Sequence, residues 1–246
     1  MRKILVFATR NSKEILRDKI NLAFGIGFPV VLLLLLSAIQ SNIPVELFEI
    51  NQLTPGIAVF GLSFISLFSG MLIAKDRTSS FMLRLFIAPL KSSHFIFGYT
   101  LPLLPMALLQ VAGCFVVAIF LGLTVSFNIL LSIIVLIPAA VLFIAFGLLC
   151  GSLFTERQVG GICGALLTNL SAWLSGTWFD LDLVGGTFKK IAELLPFSHA
   201  VDAGRAAISG NYNAILPHLW WVIGYAIVVM CIAILVFTRK MSSDNK

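Results

Sequence analysis

Apolar residues run along this chain in long unbroken stretches. Six of them, at 20–39, 53–74, 95–123, 129–154, 159–179 and 219–238, contain no Lys, Arg, Asp, Glu or His. Each has the roughly 20 residues that a helix needs to cross a hydrocarbon core. Inside lipid an unpaired backbone amide or carbonyl is costly, so the stretches predict α-helices, and the period-two pattern of a membrane barrel is absent. The expected fold is all-α: a polytopic membrane protein with six transmembrane helices in a single transmembrane domain over residues 1–246.

The segments between the stretches carry patterns of their own. At about 100° per residue, Met1, Ile4, Leu5, Ala8, Ser12, Ile15 and Leu16 share an arc of about 120°, with Arg2, Arg10, Lys13, Glu14 and Arg17 on the other side. Residues 1–19 therefore predict an amphipathic interfacial helix, its basic face toward anionic lipid or a partner's acidic surface. Residues 75–91 predict a short amphipathic helix closed by Pro89, with Phe81, Met82 and Leu85 on its apolar face and Asp76, Arg77 and Arg84 in water. Between 176 and 217, Gly185, Gly186, Pro196, Gly204 and Gly210 break the chain into short pieces that read as interfacial or re-entrant helices, in which Asp202 and Arg205 are spaced to pair. Pro29, Pro102, Pro105 and Pro138 should kink their helices. The pairs Gly147/Gly151 and Gly160/Gly164 allow close approach, expected between spans four and five.

Composition adds little to this pattern but excludes several classes. With 59% hydrophobic and 11% charged residues over 246 positions, no inter-span stretch is long enough for a soluble catalytic domain. Cys114, Cys150, Cys163 and Cys231 all fall inside spans, in neither disulfide nor zinc spacing, and read as reduced packing residues; no metal site is expected. Residues 1–19 are too charged for a signal peptide and no small-residue cleavage site follows the first span, which is expected to stay as an anchor.

Charge sets the expected orientation. Arg2, Lys3, Arg10, Lys13, Arg17, Lys19, Lys75, Arg77, Arg84, Lys91, Arg157, Arg239, Lys240 and Lys246 fall on one side of the predicted spans, and Lys189, Lys190 and Arg205 on the other. The positive-inside rule makes both termini and the loops after spans two and four cytoplasmic. The net charge of +6 is then an orientation signal, with no reason to invoke nucleic acid.

Within the spans, Phe60, Ser63, Phe64, Leu67 and Phe68 in span two and Thr168, Asn169 and Trp173 in span five are the handles on a substrate path. Without charge in the bilayer, such a path would grip an amphipathic molecule through aromatic and hydroxyl contacts. A small channel or secondary carrier is the alternative, but it should place ionisable residues or broken helices at the midplane. An intramembrane hydrolase is weaker still, since Leu174-Ser175-Gly176 lacks the Gly of a Gly-x-Ser-Gly site and His199 and His218 sit in or beside a loop.

Two motifs in register with this topology carry a resemblance. The acidic and basic cluster at 75–77, the short amphipathic helix, Arg84-Leu85 and then Pro89-Leu90 resemble the first cytoplasmic loop of ABC type-2 transporter permeases, the membrane subunits of ABC exporters. Leu195-Pro196-Phe197-Ser198-His199-Ala200-Val201-Asp202-Ala203-Gly204-Arg205 is similar to that family's Pro, small, Ala, hydrophobic, Asp, Ala, x, Arg segment. The resemblance implies a separate ABC ATPase in two copies and a second permease chain, with ATP and Mg held by the ATPase. No Gly-x-x-x-x-Gly-Lys-[Ser/Thr] loop is present in this chain to cradle phosphates. It implies ATPase coupling through Asp76, Arg77, Phe81, Met82, Arg84, Leu85, Glu156 and Arg157, and an external gate that includes Pro196, Phe197, Asp202 and Arg205. It also implies a permease of the plasma membrane, bathed by lipid, whose substrate is a drug, antimicrobial peptide, lipid or lipid-linked glycan.

Overall fold

The computed structural model describes residues 2–44, 48–78 and 92–243, and these are helical with no β-strand among them. In chain order the helices are α1 (Arg2–Arg17), α2 (Lys19–Gln40), α3 (Ile50–Thr78), α4 (Ser92–Phe120), α5 (Phe127–Val135), α6 (Ile137–Leu153), α7 (Glu156–Gly161), a π-helical turn (Ile162–Leu167), α8 (Thr168–Leu174), α9 (Leu181–Val184), α10 (Gly186–Leu194), α11 (Pro196–Ser209) and α12 (Tyr212–Ser243). Five apolar rods are long enough to cross a membrane: Lys19–Gln40, Ile50–Thr78, His94–Phe120, Phe127–Leu153 and Tyr212–Lys240.

The fifth apolar stretch is not one long α-helix. It is the run α7, π-turn and α8, which ends near Gly176, a residue in the left-handed region (φ 71°). Gly160, Gly161 and Gly164 weaken regular α-helix there, and the π-turn absorbs one extra residue. The Thr168 hydroxyl closes that turn by donating to the Cys163 carbonyl five residues back, at 3.0 Å.

The prolines act differently from one another. Pro138 sits at the start of α6, and the rod 127–153 is interrupted just before it, at Leu136. Pro29, Pro102 and Pro105 lie inside uninterrupted helices. Pro102 has no N–H for the Gly98 carbonyl four residues earlier. The Asn11 side-chain amide donates to that carbonyl instead, at 3.1 Å, so a defect in α4 becomes an attachment point for α1.

The core forms around α3, the most enclosed of the long rods, with α6 packed directly against it. Small residues permit the approach. A Cβ on Gly147 would collide with the Ser66 carbonyl and the Ser69 hydroxyl, and one on Gly151 would collide with the Gly70 carbonyl. Ser69 Oγ lies 2.9 Å from the Ser66 carbonyl and 3.3 Å from that of Ile144. This corrects the expected pairing of spans four and five: Gly147 and Gly151 face span two, Gly160 meets nothing, and Gly164 touches only Leu67, also of span two.

Contacts sort the connections to two ends. At one end, the Phe237 ring of α12 lies 5.7 Å from Phe95 of α4, α1 packs on α4 and on the close of α3, and Glu156 of α7 shares a cavity with Glu14, Asp18 and Lys75. At the other end, α11 is tied to the start of α3 and to Gly176, and Asn128 bonds Ile208 and Tyr212. The run 156–174 thus starts at the first end and finishes at the second.

The glycine contacts give a direct contrast. Gly147→Val should lower stability by about 3 kcal/mol, the upper part of the range for overpacking a filled interior. Gly160→Ala, with open space at its Cβ, should be neutral or stabilising by up to about 1 kcal/mol, as expected for glycine inside a helix. Thermal unfolding of the detergent-solubilised variants measures both.

Candidate functional site

Of the residues expected to couple the chain to a partner, Asp76 and Arg77 lie in the last turn of α3, and Glu156 and Arg157 start α7. Phe81, Met82, Arg84 and Leu85 lie outside the described residues, but the two helices that lead into and out of that segment are both engaged. Asp76 was expected to stay in water; instead it is buried, 3% exposed. An apolar site tolerates a carboxylate only when it is paired and hydrogen-bonded. Arg10 of α1 supplies a bidentate pair, Nη1 to Oδ2 at 2.5 Å and Nη2 to Oδ1 at 2.9 Å, and Tyr99 of α4 donates its hydroxyl to Oδ2 at 2.7 Å. Arg10 also donates to the Asn11 side chain at 2.9 Å. Burial pulls the guanidinium pKa down, but the hydrogen bond and charge of Asp76, with Glu14 behind it, outweigh that and leave it raised.

Packing surrounds the pair. Phe7 presents edges to Phe95 and Tyr99 at ring distances of 5.6 and 5.0 Å, and a Cβ on Gly98 would run into its ring. This corrects the expected orientation of α1: Phe7, Asn11 and Arg10 form its inward face, and Arg10 does not look outward to lipid or partner. Glu14 continues the polar seam, 3.8 Å from Arg10 and 3.5 Å from Lys75.

Arg77, also expected in water, reaches across to α6. Its Nη1 donates to the Gly151 carbonyl at 2.7 Å and lies 3.4 Å from that of Phe154. These carbonyls belong to a helix end, where no intrahelical partner exists and where negative dipole favours a cation. Immediately after, Thr155 and Gln158 form a capping box that starts α7, leaving Glu156 and Arg157 exposed. One turn of α3 therefore holds α1, α4 and α6 together.

The residues proposed for a path divide by burial. Phe60, Ser63 and Phe68 are buried within the chain, with the Phe60 ring edge-on to Trp178 at 5.4 Å and to Phe64 at 5.7 Å. Phe64 is half-buried and packs on Phe28 of α2 at 5.1 Å. Leu67 and Thr168 are half-buried, while Asn169 is exposed and Trp173 is 56% exposed. The expected path residues are thus divided: Phe60, Ser63 and Phe68 are enclosed, while Phe64, Leu67, Thr168, Asn169 and Trp173 are half-buried or exposed.

At the opposite end, Pro196 opens α11 and Phe197 is buried against Phe143 and Phe146, with rings 5.8 and 6.3 Å away. Asp202 and Arg205 approach to 3.8 Å, as their spacing anticipates. The larger role of Arg205 is as a staple: its Nε donates to the Gln52 carbonyl at 3.1 Å and its Nη2 to that of Gly176 at 2.8 Å. His199 and His218 lie on helices α11 and α12 rather than in a loop, with Nδ1 atoms 2.8 Å apart. His199 Nε2 is 2.8 Å from the Glu193 carbonyl, and burial moves its pKa below the usual range.

The sequence reading does not single out Asn11 or Tyr99, and it assigns Arg10 only to an outward basic face of α1. The available signals were Phe7 and Asn11 standing off the lipid-facing arc of α1, one turn apart, and Tyr99 placed one turn from the start of an otherwise apolar stretch.

These features define a polytopic helical membrane protein with a cross-helix cluster of charged and hydrogen-bonding side chains at each of its two ends. The chain belongs to the ABC-2 type transporter family, whose pattern matches residues 2–209. It is 28% identical over 209 residues to "Putative transport permease ycf38" of Porphyra purpurea, covering 80% of this chain and 71% of that protein. The protein of the same name from Pyropia yezoensis is 25% identical over 238 residues, covering 90% and 80%. Members of this family are membrane transport subunits that normally pair with a separate ABC ATPase.

Loss of Arg10 removes the bidentate cation from a buried carboxylate. Arg10→Ala and Asp76→Ala should each destabilise the chain by about 2–4 kcal/mol, near the range for breaking a buried pair. The double variant should fall short of the sum by roughly 1–3 kcal/mol, the coupling of residues in direct contact. A double-mutant cycle by thermal unfolding in detergent measures this, and strict additivity would remove the pair from the account.

Proposed function

We propose that the chain is the permease subunit of an ATP-driven exporter, working as two copies with two ATPase subunits. The observation that carries this reading is the convergence at Asp76 and Arg77. The helices flanking residues 79–91 are bolted to α1 through Arg10, Tyr99 and Asn11, and to α6 through Arg77. A force on the intervening segment would be received by four helices together, the condition for rigid-body motion rather than local bending.

In this reading Phe81, Met82, Arg84 and Leu85 meet the ATPase, and exposed Glu156 and Arg157 form a second contact. ATP and Mg are bound by the partner. Six crossings are supported by parity. The N-terminal start of α2 and the C-terminal part of α12 lie at one end, so an even number of crossings is required, and the run 156–174 supplies the sixth. Its 19 residues span about 28 Å at the helical rise, close to a hydrocarbon thickness. The basic end is cytoplasmic by the positive-inside rule, which places the three short helices α9, α10 and α11 outside, as a gate stapled by Arg205. An amphipathic substrate would pass between two copies along the edge that Phe64, Leu67, Thr168, Asn169 and Trp173 leave half-buried or open. The membrane is the plasma membrane, and α1 lies at its inner surface.

Co-expression with the cognate ATPase should yield a complex of two plus two chains, while the purified chain alone hydrolyses no ATP. Arg84→Glu should uncouple ATP hydrolysis from transport by at least tenfold while the chain still inserts. Failure to capture a nucleotide-binding subunit, or ATPase activity in the isolated chain, would overturn the reading.

A further inference from the structure

The outer side of α1 does not close against the rest of the chain. Leu5, Ala8, Thr9, Ser12, Ile15 and Leu16 form one wall of an open furrow of about 410 Å³, facing Leu22 of α2 and the Leu101 to Leu109 stretch of α4. A single water takes up about 30 Å³, so this is room for a chain-like molecule. The furrow makes almost no polar demand. The hydroxyls of Thr9 and Ser12 are satisfied within α1 by the carbonyls of Leu5 and Ala8, each at 2.9 Å, so the walls present hydrocarbon. Leu16, Leu5, Leu109 and Leu101 are between 47 and 64% exposed. Since α2 and α4 are membrane-crossing rods, the furrow opens sideways into the acyl region of the bilayer.

Charge is sorted around it. Lys13 stands four residues after Thr9 and three before Leu16, and Lys19 stands three before Leu22, so each is the helical neighbour of furrow-lining residues. Both lysines are exposed, and neither has an ion pair among the described residues. The nearby carboxylates are already engaged: Glu14 and Asp18 line an adjoining cavity with Lys75, Glu14 is paired there, and Asp18 is bound to Asn21. We infer that the furrow is a binding site for an anionic phospholipid, one acyl chain lying between α1 and α4 and the phosphate held at the rim by Lys13 and Lys19. An apolar slot with two unmatched cations at one lip fits a molecule with a hydrocarbon tail and an anionic head. The occupant would also fill the space beneath a helix that its own packing secures on only one face.

The test reconstitutes the full chain into phosphatidylcholine bilayer discs that carry a minor fraction of either phosphatidylglycerol or phosphatidylcholine with a photoactivatable acyl chain, and maps the labelled peptides by mass spectrometry. Phosphatidylglycerol should label residues 5–16 and 101–109 well above phosphatidylcholine, by about fivefold for each lysine, the worth of one basic side chain near an anionic surface. Lys13→Gln with Lys19→Gln should reduce its labelling to the phosphatidylcholine level, whereas Lys189→Gln with Lys190→Gln should leave the preference intact. Unchanged phosphatidylcholine labelling of the same peptides shows that the variant has kept its fold. Equal labelling by the two probes in the natural chain, or a preference that survives loss of both lysines, would overturn the site. Absence of labelling by either would also overturn it, since the furrow would then be covered by protein. None of these outcomes depends on the ATPase, so they are distinct from the test of the permease reading.

Discussion

A carboxylate in an apolar interior must be paired and fully hydrogen-bonded or it destabilises the fold by several kcal/mol. Asp76, near the end of α3, meets that demand with groups from two other helices, Arg10 of α1 and Tyr99 of α4. The requirement thereby fixes three elements at once. Asn11 reinforces the junction by bonding the carbonyl that Pro102 leaves without a partner in α4. What is a local deficit in each helix, a buried charge in one and a missing N–H in another, is satisfied only by assembly.

The remaining architecture extends this logic along α3. Ser66, Ser69 and Gly70 meet Gly147 and Gly151 of α6 at backbone distance, so close packing and carbonyl contacts hold the two helices there. Arg77 then bonds the carbonyls at the close of α6. At the far end, Arg205 bonds carbonyls of Gln52 and Gly176, and Thr177 bonds that of Gly56 at 3.2 Å. The central rod is therefore pinned at both ends and along its length, while α2 and α12 keep most of their surface free.

Membrane class and family were legible in the sequence because both rest on signals that need no partner: stretches of hydrocarbon length and motifs of local spacing. The Asp202–Arg205 pair was legible for the same reason, being set by helical periodicity. The reading went astray where a residue's environment is made by another helix. Asp76 and Arg77 look like solvated loop residues on a local wheel, yet each ends in a buried or cross-helix contact. Gly147 and Gly151 announced a close approach without saying to what, and the sequence neighbour in span five was the wrong choice.

The sequence by itself determined that the chain is helical, polytopic and basic on one side, because desolvating a backbone or a charge is costly wherever the chain goes. Only the tertiary structure decided which polar groups solve that problem for one another. Arg10 and Asp76 are 66 residues apart, and Arg205 and Gln52 are 153 apart. No local pattern encodes such pairs: their partners are chosen by which helices the small-residue contacts allow to lie side by side.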